Sequence, residues 1–339
     1  MSAFRPYLAK AAGGQMLARE EMRAAIGLLL EGAASDVETA GFLMALRARG
    51  ETAEEIAAAA EAMRERALKV EAPADAIDTC GTGGDGADTF NISTAVALVA
   101  AGAGARVAKH GNKSASSKSG SSEVLEALGV RLAAEPGVIA REIAEAGVGF
   151  MFAAYHHRAV ANVAGVRKAL GVRTLFNVLG PLSNPAGARR QVMGVFSQDL
   201  VEPIAGALLA LGAERAWVVH GADGLDELTT TGPSFVAEVA GGEVRAFIVN
   251  PADAGLPVST KEALKGGGPG ENAAAIRRLL DGEASAFRDI VVLNAAAALI
   301  VAGLAADLGE GAVLAARSID GGAAANALAR LVAISNGRA

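Results

Sequence analysis

The chain has 339 residues and a formal net charge of −6, a balance that argues against a nucleic-acid-binding surface. Its length allows one long or two smaller domains around a large core, and with aromatics at only 4% that core must be built from closely approaching helices and strands. A single cysteine, Cys80, excludes an internal disulfide and reads as a small apolar strand end.

In chain order, residues 1–72 read as purely helical. Met22, Ile26, Leu29 and Leu30 share one face of a helix that Gly32 stops. Ser35 with Glu38, and Thr52 with Glu55, have the spacing of capping boxes that open two more helices. No basic segment followed by an apolar run opens the chain, so no signal peptide is expected. From Pro73 the texture changes. Short apolar runs at 106–109, 148–153, 191–196, 216–220 and 235–239 end in glycine or polar loops and alternate with helical stretches. The expectation is an α/β fold: a small all-helical N-terminal domain, then an α/β domain over 73–339 with a mostly parallel central sheet. A helical stretch within 163–185, interrupted by Pro181 and Pro185, is expected to pack back on the helical domain. Gly241-Gly242 between two strand-like runs predicts a hairpin, and 290–306 reads as a buried helix, too short of strongly apolar residues for a membrane span.

Four constellations carry chemistry. The first is Asp-Thr-Cys-Gly-Thr-Gly-Gly-Asp-Gly at 78–86, leading to Asn91-Ile92-Ser93-Thr94 and an apolar helix. Glycines let backbone N–H groups approach a phosphate, and the helix start, capped by Asn91, Ser93 or Thr94, adds partial positive charge. Asp85 fits neither common nucleotide loop and points to a ligand that also offers hydroxyls or a metal, such as a phosphorylated sugar. The second, from Lys109 to Ser122, combines three lysines with many hydroxyls between a strand and a helix start, again suiting a polyanion. The third, Asp223-Gly224-Leu225-Asp226-Glu227, puts two adjacent carboxylates at a strand's end, which suits Mg²⁺ or an acidic helix N-terminus. The fourth is Tyr155-His156-His157-Arg158 with Arg167 downstream. The histidines read as hydrogen-bonding groups, and Arg167 as a clamp for a carboxylate.

In this order the motifs resemble the anthranilate phosphoribosyltransferase family along nearly the whole chain. The resemblance rests on 42–52, on Gly81-Thr82-Gly83-Gly84-Asp85, Asn91-Ile92-Ser93-Thr94 and Lys109-His110-Gly111-Asn112, on Leu170-Gly171 and 176–182, and on His220-Gly221 through Thr229-Thr230-Thr231-Gly232-Pro233. It implies Mg²⁺-dependent transfer of the 5-phosphoribosyl group from phosphoribosyl pyrophosphate to the anthranilate amine, a step of tryptophan biosynthesis, in a cytoplasmic homodimer joined through the helical domain. The donor would be held by Gly81, Gly84, Asp85, Thr89, Asn91, Ile92, Ser93 and Thr94. Lys109, His110, Gly111, Asn112, Lys113, Ser114, Ala115, Ser116, Ser117 and Ser121 would complete its site. Ser93, Asp226 and Glu227 would contact Mg²⁺, while Gly81, Asn112 and Arg167 would meet anthranilate. His110 would orient the acceptor. Many relatives carry prolines where this chain has Arg158 and Gly165, so the segment bearing Arg167 is expected to be looser, with Gly165 and Gly171 flanking a hinge. Pyrimidine nucleoside phosphorylases share the architecture but typically carry Lys-His-Ser and a different glycine run. A non-catalytic nucleic-acid-binding paralogue would show a basic groove and eroded acceptor residues, against the intact Asn112 and Arg167 here.

Overall fold

In the computed structural model, which describes residues 2–113, 118–132 and 135–338, the chain opens with helices α1 (Arg5–Ala12), α2 (Arg19–Leu30), α3 (Asp36–Arg49) and α4 (Ala53–Glu65). Both expected capping boxes form: Ser35 Oγ accepts from Glu38 N and Thr52 Oγ1 from Glu55 N, and each glutamate accepts in return from its cap's N–H. Glu55 does more than cap. Buried, it also accepts from Leu17 N at 2.9 Å and pairs with Arg49 at 2.5 Å, tying the segment before α2 to α3 and α4.

The α/β part runs β1 (Ile77–Gly81), α5 (Ile92–Gly102), β2 (Val107–Gly111), α6 (Ser121–Ala127), α7 (Pro136–Arg141), β3 (Val148–Phe152) and α8 (Ala153–His156). There follow α9 (Ala161–Leu170), α10 (Phe176–Leu182), β4 (Arg190–Gly194), α11 (Val201–Ala210), β5 (Arg215–Gly221), β6 (Ser234–Ala240) and β7 (Glu243–Val249). Four helices close the chain: α12 (Pro269–Leu280), α13 (Ala286–Ala302), α14 (Leu308–Asp320) and α15 (Ala323–Ser335). The strands form one sheet in the order β3-β2-β1-β4-β5-β6-β7, parallel through β5 and antiparallel beyond it. The β6–β7 hairpin turns at Gly241 and Gly242, whose φ of 60° and 83° are the left-handed values a type I′ turn requires.

Helices cover both faces. On one, α5 and the alanine-rich α13, buried from Ile290 to Val301, lie on the sheet, with α12, α14 and α15 packed around them. On the other, α11 packs between the sheet and α4, and Val163, Phe176, Leu179 and Leu182 of α9 and α10 join the core of α2–α4. The 163–185 segment therefore packs against the helical unit. No helix among the described residues is long and apolar enough to cross a membrane. With β2 and β3 on one side of β1 and β4 and β5 on the other, the strand order switches at β1. Ligands of such sheets bind there, beyond the carboxyl ends of the strands.

Candidate active site

β1 and β4 end side by side, with Gly81 opposite Gly194. The chain after β5 crosses directly over them: a Cβ on Gly194 would overlap the Asp226 carbonyl, and one on Gly81 would strike Asp226 Oδ2. Glycine is required at both places by this close approach. Gly83 N donates to Asp226 Oδ2 at 2.7 Å, Thr82 N to Gly194 O at 2.9 Å, and Phe196 N to Thr82 Oγ1 at 3.1 Å. The crossing loop is braced from within. Asp223 Oδ2 accepts from Thr229 and Thr231 hydroxyls at 2.8 and 2.7 Å. Buried Asn294 of α13 accepts from Leu228 N at 2.9 Å and donates to Leu228 O at 2.8 Å. Residues 223–228 form turns, so the acidic helix start does not materialise and the carboxylates are presented by a pinned loop.

Burial and the neighbouring Asp85 push the Asp226 carboxyl up to about 7, and burial with the neighbouring Asp226 raises Glu227 well above the usual carboxylate range. Crowded acidic groups with raised proton affinity hold either a proton or a cation. Among the described residues no three His, Cys, Asp or Glu side chains form a closed metal cage. Two carboxylates, with the Ser93 N–H bonded to Glu227, instead fit Mg²⁺, which takes one or two carboxylates and completes its shell with water and phosphate oxygens.

On the β2 side of β1 the register is set by one pair, Ile77 opposite Val107. Beyond it, side chains engage the facing backbone groups. Asp78, fully buried, accepts from His110 N at 3.1 Å and from Asn184 Nδ2 at 2.7 Å, and Asn184 also donates to Ala108 O at 2.8 Å. Lys109 Nζ donates to Thr79 O, and to Ser93 Oγ at 3.2 Å. Burial lowers the Lys109 pKa, opposed by Asp78 and, more weakly, by Glu227 and Asp226. Lys109 is thus a buried cation beneath the glycine loop, directed at Ser93.

The loop from Thr82 to Asn91 passes through positive φ at Gly83, Gly84, Gly86 and Asp88. Its far half, containing Thr89, pairs with residues 264–266: Thr89 bridges Lys265, Gly266 N donates to Asp88 O at 2.9 Å and Phe90 N to Leu264 O at 3.2 Å. Asn91 occupies the N-cap position of α5, yet its side chain does not cap. It donates to Ser119 O at 3.1 Å and accepts from Asn272 at 2.8 Å, fastening the loop across the mouth. Of the first-turn N–H groups of α5, Ile92 N donates to Phe90 O at 2.8 Å and Ser93 N to Glu227, so among the described residues the Thr94 N–H is the one left over. Past β2, Ser121 Oγ donates to Asn112 O at 3.1 Å and Asn112 Oδ1 accepts from Lys113 N at 2.9 Å, next to Gly111. Ser114, Ala115, Ser116 and Ser117 lie outside the described residues.

His110, His156 and His157 are hydrogen-bonding or packing groups whose imidazoles burial holds toward the neutral form. His110 Nδ1 donates to Gly180 O at 3.1 Å and His156 Nδ1 to Leu68 O at 2.7 Å. Burial holds His110 well below the usual imidazole value and His157 down to about 4. The His110 and His157 ring centroids are 5.1 Å apart, and both Nε2 atoms are buried without a partner. Arg167 sits on α9, half-buried, with its Cζ 5.5 Å from the Phe176 ring centroid and no carboxylate partner among the described residues. No hydrogen bond joins it to Asn112 among those residues. Arg158 lies over the Tyr155 ring at 4.9 Å. Gly165 is inside α9, whereas Gly171 caps that helix at a φ of 63°, so only Gly171 stands at a bend. Sequence reasoning missed Arg173, which stacks on Phe196 and donates to Gly84 O. It missed the fastening at 264–272 as well; the Gly266-Gly267-Gly268-Pro269 run was its available signal.

Two family models match: the glycosyl transferase family helical bundle domain over residues 5–67 and the glycosyl transferase family a/b domain over 73–325. Among curated proteins, the anthranilate phosphoribosyltransferase of Parvibaculum lavamentivorans is 60% identical over 338 residues, covering 100% of this chain and 99% of its own length. That of Rhodospirillum rubrum is 58% identical over 327 residues, 96% of this chain and 94% of its own. Among solved structures, anthranilate phosphoribosyltransferase from Thermus thermophilus aligns with a TM-score of 0.93 at 48% identity, over 97% of this chain and 99% of that one. The enzyme from Saccharomyces cerevisiae in complex with phosphoribosyl pyrophosphate and Mg aligns with a TM-score of 0.89 at 28% identity, over 98% of each chain.

Proposed function

Because the chain belongs to the anthranilate phosphoribosyltransferase family and is a glycosyltransferase, we propose that it transfers the 5-phosphoribosyl group of phosphoribosyl pyrophosphate to the amine of anthranilate, releasing pyrophosphate, as the second step of tryptophan biosynthesis from chorismate. The observation that carries this reading is the Asp226–Glu227 loop lying across Gly81 and Gly194, against the glycine loop and the start of α5. That junction brings N–H donors, serine and threonine hydroxyls and two carboxylates to one mouth, the donor set a diphosphate on a sugar demands.

In this reading Gly84, Asp85, Thr89 and Asn91 to Thr94 hold the diphosphate and ribose, with Lys109 through Ser117 and Ser121 completing the donor site. Ser93, Asp226 and Glu227 hold Mg²⁺, which when bound neutralises charge on the departing pyrophosphate. The positive end of the α5 dipole, with the Thr94 N–H, stabilises the same charge as the bond to C1 breaks. Lys109 keeps the Ser93 hydroxyl oriented and balances the carboxylates from below. Anthranilate enters between Asn112 and Arg167, near Gly81. The unpaired, half-buried guanidinium of Arg167 suits its carboxylate. The aryl amine is already neutral, so positioning does more than a base. His110, held by its Nδ1 bond to Gly180 O, orients the acceptor. Residues 1–72 with part of 163–185 form the helical domain, through which a cytoplasmic homodimer assembles, and 73–339 form the donor-binding domain. The test follows anthranilate fluorescence with phosphoribosyl pyrophosphate and Mg²⁺. Loss of signal with stoichiometric pyrophosphate release is expected, and EDTA should stop it; no turnover in folded protein that binds the donor would reject the acceptor.

A further inference from the structure

The glycine loop after β1 is fastened from several directions. Asp226 takes the Gly83 N–H, and the Thr82 hydroxyl takes the Phe196 N–H at the end of β4. One further tie comes from the opposite wall. Arg173, in the bend between α9 and α10, donates from Nη2 to the Gly84 carbonyl while its Cζ lies 4.0 Å from the Phe196 ring centroid. Arg173 is exposed, and holding a long side chain in one geometry costs rotamer entropy that two simultaneous contacts offset. Its base is fixed too. Gly171 ends α9 in the left-handed conformation, and Thr174 N donates to Asn177 Oδ1 at 3.0 Å to start α10. Phe196 therefore serves the loop twice, through its N–H on Thr82 and through its ring as the platform for Arg173. Gly83 and Gly84, with φ of 65° and 77°, are the loop's most permissive residues, so an external tie is what narrows their conformations.

We propose that Arg173 is a positioning residue that straps the donor loop to the segment carrying the acceptor arginine. It fixes the Gly84 carbonyl so that the neighbouring N–H groups stand ready for the diphosphate. The strap begins six residues after Arg167, and Arg167 itself rests on Phe176 at the start of α10, so any shift of α9 against α10 is transmitted to Gly84. The proposal rests on the reading of 81–94 as the donor loop.

Two measurements judge it. In the substrate-free full-length protein, hydrogen exchange of the amides at 83–87 should speed up in Arg173→Ala while the melting temperature stays put; unchanged exchange overturns the strap. In turnover, Arg173→Ala should raise the KM for phosphoribosyl pyrophosphate about tenfold, the worth of one charge-assisted hydrogen bond, and leave the anthranilate KM within about twofold. Arg173→Lys keeps the charge but lacks the planar fork and the stack, so it should behave like alanine. Full recovery with lysine would make the residue a simple attractor of phosphate and overturn the positioning role. Phe196→Leu should reproduce part of the loss and add nothing to Arg173→Ala, whereas additive losses would contradict a shared device. Failure of the unsubstituted protein to bind phosphoribosyl pyrophosphate would sink the donor-site reading, and the exchange experiment stands independently of that.

Discussion

The two edges of β1 are built differently. Toward β4 the ladder runs through five residue pairs and ends in facing glycines, a flat floor on which Asp226 lies. Toward β2 a single pair sets the register, and the facing backbone groups are taken by Asp78, Lys109 and Asn184. One edge gains accuracy from backbone regularity and the absence of side chains. The other gives up ladder bonds to place a charged, hydrogen-bonded set beneath Ser93. Burying charged groups is seldom a net stabiliser, so Asp78 and Lys109, both buried and without a direct ion pair, point to placement of Lys109 as their use.

Breaking the charged edge should have the largest effect. Asp78→Asn removes the charge that opposes the burial of Lys109 and sets an amide donor against Asn184 Nδ2, and is expected to destabilise the fold by about 3 kcal/mol, read from urea unfolding; a loss under about 1 kcal/mol would mean the edge does not depend on that charge. Breaking the regular edge costs function more than stability. Gly194→Ala forces the Asp226 backbone off its floor, and a misplacement of about 1 Å should lower kcat/KM roughly 100-fold while circular dichroism stays unchanged. Near-normal turnover would show that the floor does not set the carboxylates.

A smaller effect separates this edge from the rest of the sheet. Glu142, buried in the π-helical turn Glu142–Ala146 and accepting from Phe150 N of β3, has its carboxyl raised by burial to about 8. Its folded pKa exceeds the unfolded one, so the protonated form's contribution is complete below about 4.5 and is lost as pH rises toward 8. Glu142→Gln should flatten stability across that window, a change on the order of 2–4 kcal/mol. A slope that persists in the variant would assign it to the Asp78–Lys109 edge instead.

What was legible in the sequence was local. The capping boxes, the Gly241-Gly242 hairpin and the glycine loop each follow from residues within a few positions, and their physics is complete at that range. The charged edge was not legible, because Asp78 and Lys109 acquire their roles only once β1 and β2 part after one pair. Asn91 illustrates the same limit. Its type and position predict a helix cap, but a hydrogen bond to Asn272, 181 residues away, takes the side chain instead. Arg173 meets its platform Phe196 only in the fold, and Asn294 of the apolar α13 grips Leu228 across 66 residues, so neither contact is written in local sequence.

The central claim is that Asp226 and Glu227, laid over the ends of β1 and β4, hold a divalent cation together with the donor. The most direct measurement titrates Mn²⁺ into the protein by water-proton relaxation, with and without phosphoribosyl pyrophosphate, beside an Asp226→Asn/Glu227→Gln variant. The account predicts that the donor tightens Mn²⁺ binding in the unsubstituted protein and leaves the variant unable to respond. Equal tightening in both would contradict it.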